Sequence, residues 1–242
     1  MKDEEYRELE VRIRDYMREH LNQHYSNLKN PVRSTIIDRT NALSYRSAAV
    51  QWNFNKLKDT AKNAVSFIFS QDRSEIQSNT INHLFPLSFC FDDIVFNLLS
   101  LVDYTAMLMI SIISANRSMS MKWNNLRKKL KDDNLGFPDT AELVIKTHDA
   151  WVNKLSEYRA GVYHNNNQYV VAEHWSDYLK GTENIAFYLP DVAVKQLPLF
   201  ERNDKIDMIS GAEALIDETF SIIEQILKLC YSEKPASNIF MT

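Results

Sequence analysis

The stretch FPLSFCFDDIVFNLLSLVDYTAMLMISII, residues 85–113, decides the fold. It is apolar nearly all round, and a helix of that kind belongs at the centre of a bundle. Asp92, Asp93, Asn97 and Asp103 interrupt it, so it reads as a buried helix of about Pro86 to Ala115 and not as a membrane span. The flanking sequence has helical periodicity on both sides. Asp3 to Lys29 carries the stripe Tyr6, Leu9, Ile13, Tyr16, Met17, Leu21 and Leu28, and Pro31 ends it. Ser44 to Phe69 carries Tyr45, Ala49, Trp52, Leu57, Ala61, Ala64, Val65 and Ile68, and the polar run Ser70 to Asn82 reads as a loop.

Beyond the central helix, Met119 to Lys131 forms a short basic helix closed by Asn134-Leu135-Gly136. A fifth helix starts near Pro138, runs along Leu143, Val144, Thr147, Trp151, Val152, Leu155 and Tyr158, and ends between Gly161 and His164. Gln168 to Ala172 and Asn184 to Leu189, with Gly181 between them, are rich in strand formers and predict a small hairpin. Ile206 to Tyr231 predicts the last helix.

These elements imply an all-α, four- to five-helix up-and-down bundle with a small β-hairpin excursion before the last helix. The expected organisation is one domain over 1–234. It comprises an N-terminal helical hairpin at 1–82, core helices at 83–165, the excursion at 166–203 and the last helix at 204–234, followed by a loose tail at 235–242.

Composition supports helices. The 242 residues include four glycines, none before Gly136, too few for the turns of a sandwich or a nucleotide-binding α/β fold. A net charge of −4 gives no global attraction to nucleic acid or to an anionic membrane, so such contact would need a local patch. Cys90 and Cys230 lie in apolar helical runs and read as reduced core residues. The acidic start Met1-Lys2-Asp3-Glu4-Glu5 is no secretory signal, which leaves the cytoplasm as the expected location and no membrane as a partner.

The segment with chemical character is Tyr158-Arg159-Ala160-Gly161-Val162-Tyr163-His164. His148, Val152, Leu155 and Arg159 share a stripe at spacings of four, three and four, which sets Arg159 on or beside the apolar face. A guanidinium there needs a carboxylate, a phosphate or water. In a regular helix Arg159 and His164 stand about 140° apart, so a break at Gly161 or a second subunit is required to join them. The bland alternative is an arginine placed by the helix dipole and a solvated histidine turn.

An arginine, a short gap and a histidine at the end of a long bundle helix resemble the motif of the HEPN superfamily of helical nucleotide-binding domains. Asp93-Ile94-Val95-Phe96 followed by Ser100-Leu101-Val102-Asp103-Tyr104-Thr105-Ala106 is similar to the long helix of small prokaryotic members. The resemblance covers about residues 85 to 165 and the last helix. It implies a homodimer acting on RNA or a nucleotide as a metal-independent endoribonuclease, of a toxin or defence type with an antitoxin partner, and without a cofactor. Arg159 would hold the scissile phosphate and His164 would transfer protons. Tyr163, Asn165 and Asn166 would add polarity. Active members usually place Asn, Asp or His after the arginine, where this chain has Ala160, so a non-catalytic module that binds a nucleotide, RNA or a partner is the implied alternative; beside it stands a purely structural helical interaction protein in which Arg159 and His164 only support the fold.

Asp92 and Asp103, three turns apart, are expected to support the site by orienting His164 or pairing with Arg159, or else to meet water or a neighbouring hydroxyl. Lys122, Arg127 and Lys128, with Arg117, Lys129 and Lys131 around Trp123, make a candidate track for an RNA backbone or a solvated face. His20 and His24 have zinc-compatible spacing but no further ligands nearby, so no metal site is expected.

Overall fold

The computed structural model describes residues 11, 30–70, 76–114, 122–132, 136–164, 170–177, 182–197, 199–200 and 205–233. The predicted helix over Asp3–Lys29 lies outside them, apart from Val11. The fold is all-α, a helical bundle with, among the described residues, one two-stranded antiparallel hairpin before the last helix. Its elements are α1 (Asn30–Ser70), α2 (Ile76–Ser114), α3 (Trp123–Asp132), α4 (Pro138–Thr147), a π turn (His148–Val152), α5 (Asn153–His164), β1 (Val171–Asp177), β2 (Thr182–Tyr188), α6 (Asp191–Gln196) and α7 (Met208–Ser232).

Three expectations are corrected. Helix α1 spans Asn30–Ser70 and so does not wait for Ser44, and Pro31 lies in its first described turn. Proline suits a first turn because its missing N–H would be unpaired there in any case. Helix α2 begins at Ile76 within the expected loop and carries Pro86 inside it. The buried stripe of α1 is Leu43, Ser47, Val50, Phe54 and Leu57, while Tyr45 and Trp52 are 71% and 63% exposed. The stripe that wins alternates spacings of four and three throughout, and the aromatics fall on the other side of the helix. There Lys56 covers the Trp52 ring at 5.2 Å.

The chain divides into two compact units. One comprises Met1–Ala49, Asn97–Asn153 and Glu218–Thr242. Its core includes Leu43, Leu101, Trp123, Leu126, Val144 and Ile226. Buried polar groups there find partners across long stretches of sequence. Trp151 donates its indole N–H to Thr219 Oγ1 at 3.0 Å, and the almost wholly buried Arg39 donates to the Met107 carbonyl and the Ser111 hydroxyl. Gly136 takes φ 76° after α3, a backbone region that disfavours side chains, and the chain turns into α4 at Pro138. The first turn of α4 is closed from the far end of the sequence, where Glu233 accepts the N–H groups of Asp139 at 2.6 Å and Thr140 at 2.7 Å.

The other unit comprises Val50–Phe96 and Lys154–Asp217. Its hairpin pairs Val171 with Tyr188 through Asp177 with Thr182. Val170 enters it with its N–H on the buried Ser88 hydroxyl at 3.2 Å. Cys90 and Cys230, one in each unit, are buried free thiols, and burial pushes the Cys230 thiol well up. Leu84–Ile113 is long and apolar enough to cross a membrane, with mean hydropathy 1.7, yet 67% of its most apolar window is buried within the protein, as in a core helix.

At Gly211 a Cβ would stand 2.8 Å from Leu189 Cδ1 and 2.9 Å from Ile206 Cγ2. Alanine should gain about 1 kcal/mol of helix propensity but cost roughly 1–3 kcal/mol through overpacking. Gly211→Ala is therefore expected to lower the thermal midpoint, read by circular dichroism, and a raised midpoint would show that Leu189 yields freely.

Candidate functional site

The helical run from Pro138 to His164 changes phase in the π turn, where one turn closes with an extra residue. Before it the buried positions are Thr140, Val144 and Thr147, and within it Trp151 and Val152 are both buried. After it Leu155 and Tyr158 take the inner face. Arg159 is the next residue, about 100° further round, and it is exposed. Of the options open to the guanidinium, its head therefore lies at water. Tyr158 is preferred inside because a phenol buries an apolar ring and a single hydroxyl that one acceptor can satisfy.

That acceptor is Asp92. The Tyr158 hydroxyl donates to Asp92 Oδ1 at 2.8 Å, and the Phe91 ring meets the Tyr158 ring edge-on at 6.1 Å between centroids. Burial raises the Asp92 carboxyl to about 6; the Tyr158 hydroxyl bond opposes the rise, and Asp93 adds to it. Burial also pushes the Tyr158 hydroxyl far up, with the Asp92 charge and bond adding to it, so it stays protonated and remains the donor.

The other expected supporting acid, Asp103, accepts the N–H of Trp123 at 2.9 Å and so holds the first residue of α3. The bond is to a backbone amide and not to a neighbouring hydroxyl. Helix α3 buries Trp123, Leu126 and Leu130. It leaves Lys128 exposed, with Lys122 exposed just ahead of it. Arg127 is half-buried and donates through Nε and Nη2 to Asn124 Oδ1 at 3.3 and 3.2 Å. Asp103 and the basic helix belong to one compact unit, Asp92, Tyr158, Arg159 and His164 to the other.

Helix α5 runs unbroken through Gly161 to His164, so the helix itself does not bring positions 159 and 164 together. Ala160 is exposed. The side chains of Tyr163 and His164, and all of Asn165 and Asn166, lie outside the described residues, as do Arg117, His20 and His24. Among the described residues no group of three His, Cys, Asp or Glu side chains gathers as a metal site would require.

Two residues gain importance that sequence reading did not give them. Arg39 is a buried cation whose charge its helix neighbours do not foretell. His148 opens the π turn, and its buried Nδ1 has no partner among the described residues. Burial lowers its pKa, the Arg127 charge lowers it further, and Asp149 opposes both. π turns occur often at functional sites, but no periodicity rule exposes one in a sequence. No family model, curated protein or solved structure matches the chain.

The Asp92–Tyr158 pair sets a pH dependence. The folded carboxyl sits near 6, above its ordinary value of about 3.9. Between about pH 4 and pH 6 the folded chain therefore holds more protons than the unfolded one, and this group's contribution to stability falls as pH rises through that window. Urea unfolding at several pH values should show a flatter dependence for Asp92→Asn than for the parent. Tyr158→Phe should cost about 1–3 kcal/mol at pH 7 by removing the carboxylate's buried donor. An unchanged pH dependence in Asp92→Asn would dissociate the effect from this carboxyl.

Proposed function

We propose that this chain is a HEPN-like, RNA-acting protein: a metal-independent endoribonuclease that works as a homodimer with a composite Arg159/His164 site. The observation that carries the reading is the exposed Arg159 on a helix that continues unbroken to His164. A guanidinium at water is available to a phosphate. Positions about 140° apart on one helix favour pairing Arg159 of one copy with His164 of another over pairing within a chain.

The chemistry follows from the two side-chain types. Neutral His164 takes the proton of a ribose 2′-hydroxyl, and the 2′-oxygen forms a bond to the adjacent phosphorus. The bond from phosphorus to the 5′-oxygen breaks, and that oxygen receives a proton from imidazolium. Arg159 neutralises the charge that builds on the non-bridging oxygens. A 2′,3′-cyclic phosphate and a 5′-hydroxyl result. Lys122, Arg127 and Lys128 would hold RNA backbone at the basic helix, and a toxin or defence role with an antitoxin partner belongs to the same reading.

The exposed Ala160 favours a second reading, a non-catalytic module that binds RNA or a nucleotide through Arg159 without cutting it. Purified protein and a fluorescent single-stranded RNA, with EDTA present, separate the two. Cleavage should persist in EDTA and fall by about a hundredfold or more in both His164→Ala and Arg159→Ala. Intact RNA with weakened binding in Arg159→Ala would select the module. RNA neither cut nor bound would reject both.

A further inference from the structure

We propose that Tyr45, Arg46 and Tyr104, with Lys122 beside them, hold one nucleotide of a single-stranded RNA, the base stacked on Tyr45 and the phosphate bound at Arg46. This site presupposes the RNA-directed reading above and adds to it a place for a base. All four residues belong to one compact unit. The Arg46 guanidinium stands 5.9 Å from the centroid of the Tyr45 ring and 5.3 Å from that of Tyr104, within cation–π reach of both. Tyr45 is 71% exposed, so the ring face away from Arg46 is open to a flat ligand. Aromatic rings hold a cation in place but do not satisfy its N–H groups. Arg46 Nε is buried without an acceptor among the described residues, and the other guanidinium nitrogens have no hydrogen bond or ion pair there either. Arg46 as a whole is only half-buried, so a ligand can reach the fork, and phosphate oxygens match its geometry.

A second cation is carried to the same place. Asp103 precedes Tyr104, and its Oδ1 accepts the Trp123 N–H at 2.9 Å, which fixes the start of α3 beside this part of α2. Lys122 comes immediately before Trp123, is exposed, and caps α3 with its carbonyl, which accepts the N–H groups of Asn125 and Leu126. A lysine at a helix N-terminus opposes the helix dipole, whereas a phosphate there is favoured by the dipole and the ammonium together. Competing acids are scarce. No Asp or Glu occurs between Asp38 and Asp59 on α1, or from Tyr104 through Lys131. The adjoining acid, Asp103, is engaged with the Trp123 amide. A carboxylate ligand would answer the guanidinium alone, while a nucleotide answers the cation and the open ring at once.

The test uses the full chain and a fluorescein-labelled 2′-O-methyl oligoadenylate in fluorescence anisotropy. Its blocked 2′-oxygen cannot attack phosphorus, so it stays intact. A second oligomer of the same length and backbone carries abasic sugars. The oligoadenylate should bind at least about tenfold more tightly than the abasic chain, and Tyr45→Ala should remove that preference while Tyr45→Phe keeps it. The thermal midpoint of Tyr45→Ala should stay that of the parent, because the ring it removes is exposed. Arg46→Gln and Lys122→Gln should weaken both oligomers, and each should lower the slope of log affinity against log salt by about 0.7, the share of one phosphate on a single strand. Equal binding of the two oligomers by the parent, or a base preference that survives in Tyr45→Ala, would overturn the stacking site. An unchanged salt slope in Arg46→Gln would overturn its phosphate contact. In each of these cases the RNA is still bound and the Arg159/His164 reading stands. A parent that binds neither oligomer nor unmodified RNA would overturn both.

Discussion

A phenol buried in a helical protein must find an acceptor, and for Tyr158 that acceptor is a carboxylate on the central helix. The bond does more than satisfy one hydroxyl. It selects which of two adjacent residues of α5 turns inward, and so determines that Arg159 turns out. The reverse choice would bury a guanidinium next to Leu155 with its five donors to satisfy. The arrangement has an electrostatic cost, because Asp92 is held where ionisation is disfavoured. Acids on a core helix are tolerated when each serves a defined donor, and Asp103 does so for the Trp123 amide in the other unit.

The histidine and arginine content of the helical run has a similar logic. At the first residue of the π turn, His148 is drawn towards its neutral form by burial and by Arg127. After it, Arg159 is exposed to water. One continuous run of backbone therefore offers two electrostatic settings, a neutral imidazole beside a basic helix and a solvated guanidinium near the helix end. Spacing put both residues on one stripe, on or beside the apolar face; the RNA-directed reading rests on the exposure of Arg159.

The all-α class, the central helix and the hairpin before the last helix were legible from glycine scarcity and from periods of 3.6 and 2. Boundaries were less so. Pro31 and Pro86 illustrate the difficulty, since the same residue that ends one helix can open the next or sit within it. Tyr45 and Trp52 misled because large aromatics mark a core on average, whereas the repeating Leu43, Val50, Phe54 and Leu57 set the actual face. At the site, Tyr158 read as core and is core, but its partner could not be read: sequence spacing along one helix does not say which residue of another helix it meets. The exposure of Arg159 followed from that unseen partner.

Glu233 supplies a different consequence, one of timing. The carboxylate that closes the first turn of α4 lies 94 and 93 residues downstream of the amides it binds. During synthesis those amides emerge from the ribosome long before their acceptor does. The unit they belong to also takes its last segment from Glu218 onward, including the Thr219 hydroxyl that receives the Trp151 indole. Its helices can form as the chain is made, but their closing contacts wait until Thr219 and Glu233 have followed.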